Sequence, residues 1–300
     1  MFSLKRVLAG SLLLCSTASW ADSFSLPIWK EEAEALGYVL PKPFGFNVSY
    51  MSLEQGIAVD SIGFEGLAIK GKPSFFNKDG ITPIHPDIVA SPGRQSSEVL
   101  SLRADVWVFP FLNLYGLIGK MKGQSETMVT VKGVTLETDK KDIHIPLQGV
   151  KPFSFKLDLE GELFGGGLVL AGGYKNWFAL LDASYTQTDL SVIDGAIDAY
   201  VVSPRVGYDF HSKGVPMRLW AGAMYQDVEQ SLSGSISSLG LPSFLDDFTE
   251  DGKFNVEQRL TTPWNPIIGM QYQISPHLYL LGEAGLGDRT SVFFSIDMRY

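Results

Sequence analysis

From Phe44 to the last residue, this 300-residue chain repeatedly alternates apolar and polar side chains. Phe44, Phe46, Val48 and Tyr50 alternate with Gly45, Asn47 and Ser49. Leu100, Leu102, Ala104, Val106 and Val108 alternate with Ser101, Arg103, Asp105 and Trp107. Trp177, Ala179, Leu181, Ala183 and Tyr185 oppose Asp182, Ser184 and Thr186, and Val202, Val206 and Tyr208 oppose Ser203, Arg205 and Asp209. Further segments repeat the pattern around Leu219, Ile268, Leu280 and Phe294. Successive side chains of a strand point to opposite faces, so period two means strands with one apolar face. A helix cannot carry this pattern, because its faces repeat every 3.6 residues.

The connections set the architecture. Short ones fall at Phe109-Pro110-Phe111, at Tyr174-Lys175-Asn176, at 211–216 and at 274–277, and long ones around 60–97, 124–156, 189–197 and 227–262. Strands of about ten residues with short turns at one end and long loops at the other indicate an all-β, antiparallel up-and-down transmembrane β-barrel. Counting back from Tyr300 gives about ten strands; twelve is the alternative if 60–97 folds into a further hairpin. The outer faces carry Leu, Val, Ile and Ala, where a water-soluble sheet would show polar residues. Aromatics (Trp107, Phe109, Phe111, Tyr115, Tyr174, Trp177, Tyr208, Phe210, Tyr272, Tyr279) cluster near the short turns, as expected at a membrane interface. Pro204 and Pro266 are expected to sit at bulges. Residues 111–123 leave their facing open, because Asn113 and Lys120 have opposite parity.

The N-terminus adds two segments. Lys5 and Arg6, an apolar run from Val7 to Cys15 and Ser19-Trp20-Ala21 form a secretory signal peptide over 1–21. Its Cys15 is the only cysteine. Within 22–43, Leu26, Trp29, Ala33 and Leu36 share a helical face, with Gly37 suited to end the helix. This short amphipathic helix is placed either in the lumen as a plug or at the periplasmic mouth; the barrel then spans 44–300. Twenty-four basic residues against 33 acidic ones, a formal net charge of −9, argue against nucleic acid as a partner.

The final strand places Val292, Phe294, Ile296, Met298 and Tyr300 on one face and ends on an aromatic. This ending resembles the β-signal of Gram-negative outer-membrane barrels. The resemblance implies outer-membrane residence, and the count of about ten strands back from Tyr300 puts both termini on the periplasmic side. The resemblance also implies recognition of those five residues by the barrel-assembly machinery, and contact with outer-membrane lipid and lipopolysaccharide.

A charge facing lipid is costly, so strand charges should face the lumen. Measured from the short turns, Arg103, Asp105, Asp182, Arg205 and Glu283 fall near mid-depth as a layer of mixed charge. Such a layer either lines a narrow channel or transporter for small solutes or forms a paired network that fills a closed barrel displaying its loops as an adhesin or receptor. A surface hydrolase is the third reading. It rests on Asp142-Ile143-His144, which resembles the Asp-x-His pair of omptin proteases, with Asp158 and Glu160 across the same loop. The omptin acidic pair comes earlier in the chain than its Asp-x-His, the reverse of the order here. The acidic stretches at 77–80 and 246–252 do not complete a calcium loop, and no metal or cofactor is expected.

Overall fold

The computed structural model describes residues 26–70, 81–138, 141–236 and 252–300. The expected signal peptide and most of both acidic stretches lie outside these residues. The described chain contains one short helix, α1 (Lys30–Ala35), and fourteen strands. They are β1 (Phe44–Glu65), β2 (Ala68–Lys70), β3 (Ile81–Ala90), β4 (Gly93–Phe109), β5 (Leu112–Leu136), β6 (Ile143–Pro146) and β7 (Phe153–Tyr174). They continue with β8 (Trp177–Leu190), β9 (Asp194–Asp209), β10 (Met217–Ser235), β11 (Lys253–Leu260), β12 (Trp264–Ser275), β13 (Leu278–Leu286) and β14 (Thr290–Arg299).

Ten strands close a ring in the order β1, β4, β5, β7, β8, β9, β10, β12, β13, β14 and back to β1, every neighbour antiparallel. The seam closes where the Phe44 N–H donates to the Tyr300 carbonyl at 3.1 Å and the Tyr300 N–H to the Phe44 carbonyl at 2.9 Å. Both ends of the ring therefore lie at the short-turn end. Outward side chains along this ring are apolar, and Ile118, Val206 and Phe294 are each more than half exposed. Aromatic pairs bound the belt. Trp177–Tyr208 (5.3 Å between centroids) and Tyr208–Phe210 (4.9 Å) lie near the short turns. Tyr185–Tyr200 (4.8 Å) and Tyr225–Trp264 (5.2 Å) lie at the other edge. Beyond the second girdle the outward residues turn charged, at Glu54, Glu98, Lys120, Glu162 and Asp227. An apolar belt between aromatic girdles makes this ring a membrane-spanning wall.

The strands are longer than expected: β5 has 25 residues, and β1 and β7 have 22 each. Much of what reads as loop is therefore wall. The expected loop at 124–156 is largely β5, β6 and β7, and the one at 189–197 shrinks to 191–193. Above the girdle the alternation continues with inverted facing. Phe155, Leu157 and Leu159 point inward and are buried, while Lys156, Asp158 and Glu160 point outward. β11 then bridges β10 to β1, above the level at which β12, β13 and β14 end. The ring narrows there to eight strands, β1, β4, β5, β7, β8, β9, β10 and β11. A barrel of about eight strands is filled by its own side chains. Phe254 (fully buried), Phe155, Leu159, Leu232 and Val256 fill this one.

Other details differ as well. Pro204 interrupts the β9–β10 ladder, whose pairing passes from Gly222↔Arg205 to Tyr225↔Val202, and the Ser203 hydroxyl donates to the Ala223 carbonyl at 3.0 Å in that gap. The β10–β12 ladder runs through Pro266 without a register shift, and pairing with β13 begins only after it, at Ile267. Asn113 faces inward and Lys120 outward, because Lys120 already lies beyond the girdle. Trp107, Tyr115 and Tyr279 face the lumen instead of the membrane interface. α1 lies at the short-turn mouth. It ends at Gly37, whose φ of 87° reverses the chain, and buries no residue of its own. Trp29 rests on Phe109 (5.0 Å) and Phe111 (6.2 Å), and the Tyr38 hydroxyl donates to the Gly173 carbonyl at 3.2 Å.

Candidate functional site: the barrel lumen

Inside the ten-stranded ring lies a cavity of about 1520 Å³. It begins under α1, at Trp29, Tyr38 and Lys42, and ends at Gln55, Gln95 and Gln230. Three layers line it.

The first is the mouth. The Arg218 Nε donates to Asp209 at 2.8 Å, and His211 joins Asp209 (2.5 Å) to Gln273 (2.7 Å).

The second layer contains all five charges singled out from the sequence, and it runs around the wall. Arg205 grips Glu283 through two bonds, at 2.8 and 3.1 Å, and lies 3.9 Å from Asp182. The Trp220 indole donates to the same Glu283 at 2.8 Å. The Tyr115 hydroxyl donates to Asp182 at 2.6 Å, and the Arg103 guanidinium lies 3.6 Å over the Tyr115 ring. Asn113 bridges Arg103 and Asp105, accepting at 3.1 Å and donating at 2.6 Å. Arg299 then reaches Asp105 (3.2 Å) and Asp297 (2.9 Å). The members come from β14, β4, β5, β8, β9, β10 and β13, so one connected network encircles the lumen. Glycines make room for its largest members. A Cβ on Gly269 would strike the Trp220 indole, and one on Gly167 would strike the Tyr115 ring. The cavity continues past these charges to residues on both sides, so they line the lumen without filling it.

Asn113, Tyr115, Trp220, Asp297 and Arg299 are the members that sequence reading missed. Trp220, Asp297 and Arg299 have inward parity, which was the available signal, whereas Asn113 and Tyr115 fall in the stretch whose facing stayed open. Among the described residues, Asp297 Oδ1, Ser295 Oγ and Trp107 Nε1 have no hydrogen-bond partner.

The third layer is the roof, where apolar Met51, Leu53, Val99 and Met121 give way to buried glutamines. Gln230 donates to Gln95 at 2.7 Å, Gln55 donates to Gln95 at 3.5 Å, and Ser125 donates to Gln258 at 3.1 Å. Above them sits the apolar core of the eight-stranded ring. The lumen is thus continuous to the short-turn mouth and blocked at the far end.

The residues of the hydrolase reading do not converge. His144 contacts Thr135 at 3.3 Å, Asp158 accepts from Gln124 at 2.9 Å, and Glu160 pairs with Lys122 at 3.0 Å. His144 lies on a strand, β6, beyond the girdle and not in a loop. Among the described residues, no group of three His, Cys, Asp or Glu side chains could hold a metal.

No family model matches this chain. No curated protein matches it either. Matching solved structures include the outer membrane protein OprG from Pseudomonas aeruginosa, with 12% identity, a TM-score of 0.38, and coverage of 87% of this chain and 98% of that one. An outer membrane channel from Pseudomonas putida matches with 9% identity and a TM-score of 0.35, over 87% and 96% of the two chains. The toluene transporter TbuX from Ralstonia pickettii matches with 10% identity and a TM-score of 0.29, over 87% and 90%. Likenesses this distant carry no weight for function, which rests on the lumen itself.

Proposed function

We propose that this chain is an outer-membrane channel or transporter for small solutes, with α1 and both ends of the ring on the periplasmic side and the eight-stranded extension outside the cell. One observation carries the reading: a lumen of about 1520 Å³ runs from the mouth to the glutamine roof inside a wall with an apolar outer belt. A barrel whose only task was structural would gain stability by packing that volume. The paired charges hold polar groups on the wall, where they meet a solute without blocking it. Passage then requires the roof and the core above it to yield. The outward row Val292, Phe294, Ile296, Met298 and Tyr300 supports recognition by the assembly machinery, and the belt supports contact with lipid and lipopolysaccharide.

A second reading has its own support. The packed core of the upper ring blocks the far end, as expected of a closed barrel that displays its outer end to a partner. Planar-bilayer recording separates the two. A channel gives conductance steps, and Asp182→Asn with Glu283→Gln moves its selectivity toward anions. Silence from the whole protein and from a variant lacking residues 22–40 would defeat the channel reading.

A further inference from the structure

We propose that Arg289 is an anion-binding residue at the blind end of the lumen, and that the solute drawn to it carries a carboxylate. This rests on the reading of the lumen as a solute site. Four arginines along the lumen already have an acid: Arg103 has Asp105, Arg205 has Glu283, Arg218 has Asp209, and Arg299 has Asp297. Arg289, in the turn between β13 and β14, is different. It is 3% exposed, and among the described residues no carboxylate pairs with it. Its side chain meets only neutral acceptors, Gln55 Oε1 at 3.2 Å and the carbonyls of Thr262 at 3.2 Å and Pro263 at 3.4 Å, and its Nη1 has no partner.

A buried guanidinium without a counter-charge is unfavourable, and a ligand that supplies one relieves that cost. Burial lowers the Arg289 pKa to about 10, so it still carries its charge at neutral pH. The route to it is short. Gln55 and Ser291 line the cavity, and Gln55 is the side chain between the cavity and the Arg289 Nε. A carboxylate has the planar shape of the Gln55 amide. It can take that amide's place on Arg289 once the Gln55 side chain turns down into the cavity it already lines. Gln258 Nε2, in the same layer, is a second buried donor without a partner among the described residues.

The test compares hexanoate with hexanamide, equal in length and differing in charge, on the purified full-length barrel. Isothermal titration calorimetry reports binding. Hexanoate is expected to bind roughly tenfold more tightly, the order of a charge-assisted hydrogen bond. Arg289→Gln should remove that preference, weakening hexanoate more than hexanamide. Gln55→Leu, which deletes the competing acceptor, should enlarge the preference, and it decides the matter if Arg289→Gln fails to assemble. Equal affinities in the native protein, no binding of either probe, or a preference that survives Arg289→Gln would overturn the proposal. So would an unchanged preference in Gln55→Leu, or inorganic phosphate displacing hexanoate as the tighter ligand. A carboxylate preference in a barrel silent in bilayers would keep this site and reject only the channel.

Discussion

Arg205 on β9 holds Glu283 on β13 through two hydrogen bonds, although β10 and β12 lie between their strands. Only a closed and tilted wall brings these positions together. Both side chains are mostly buried, at 16% and 7% exposure, so neither is well solvated if its partner is lost. Glu283→Gln is expected to cost about 3–5 kcal/mol, as for other broken buried pairs. Replacing both residues by Met should cost less than the single change, since the pair is removed together and Asp182, which loses Arg205, keeps its bond from Tyr115. The temperature at which the barrel loses its compact migration in detergent gels measures both, and an unaltered temperature in Glu283→Gln would show that the pair does not support the fold.

Gly269 underlies Trp220. A valine there pushes the indole off the wall and breaks its bond to Glu283, at a cost of about 1–3 kcal/mol for overpacking. Tryptophan emission should shift as the ring moves. Unchanged emission with unchanged stability would mean that the wall absorbs the added methyls.

Leu181 and Val206 lie in the apolar belt, and Ser184 lines the lumen. Leu181→Arg and Val206→Arg should each cost about 2–4 kcal/mol near mid-membrane. Ser184→Arg should be milder, because the lumen has room for it. Urea unfolding in lipid vesicles ranks the three, and equal losses would refute the assignment of faces.

Deletion of 292–300 removes most of β14 together with the Phe44–Tyr300 seam. β1 and β13 then face lipid with unpaired backbone groups, which a bilayer does not tolerate. The truncated chain should give no heat-resistant species and accumulate as aggregate. A compact, heat-modifiable band would contradict this.

Period two revealed the membrane ring because lipid on one side and lumen on the other impose opposite polarity on neighbouring residues. The same rule hid the upper ring. From Phe153 to Gly161 the alternation persists, but its sense inverts, since water lies outside and the core inside. Read with membrane polarity, such a stretch looks like loop. The charge layer was readable as parity and depth, so Asp182, Arg205 and Glu283 could be placed on the inner face. Their partners could not be read. Which side chains meet across a lumen depends on strand tilt and ring closure, and nothing local to Tyr115 or Trp220 encodes either. Arg289 lay in a turn, where polar residues usually meet water, and only the convergence of β1, β11 and β12 buries it.

β11 joins β10 to β1, two strands that are already part of a closed circuit below through β12, β13 and β14. Its departure would unseal the upper ring and leave the membrane wall whole. The membrane wall and the strand that closes the upper ring are therefore separate parts of one chain. Sequence change in β11 can loosen the closure of the upper ring while the pairing of the membrane wall stays the same.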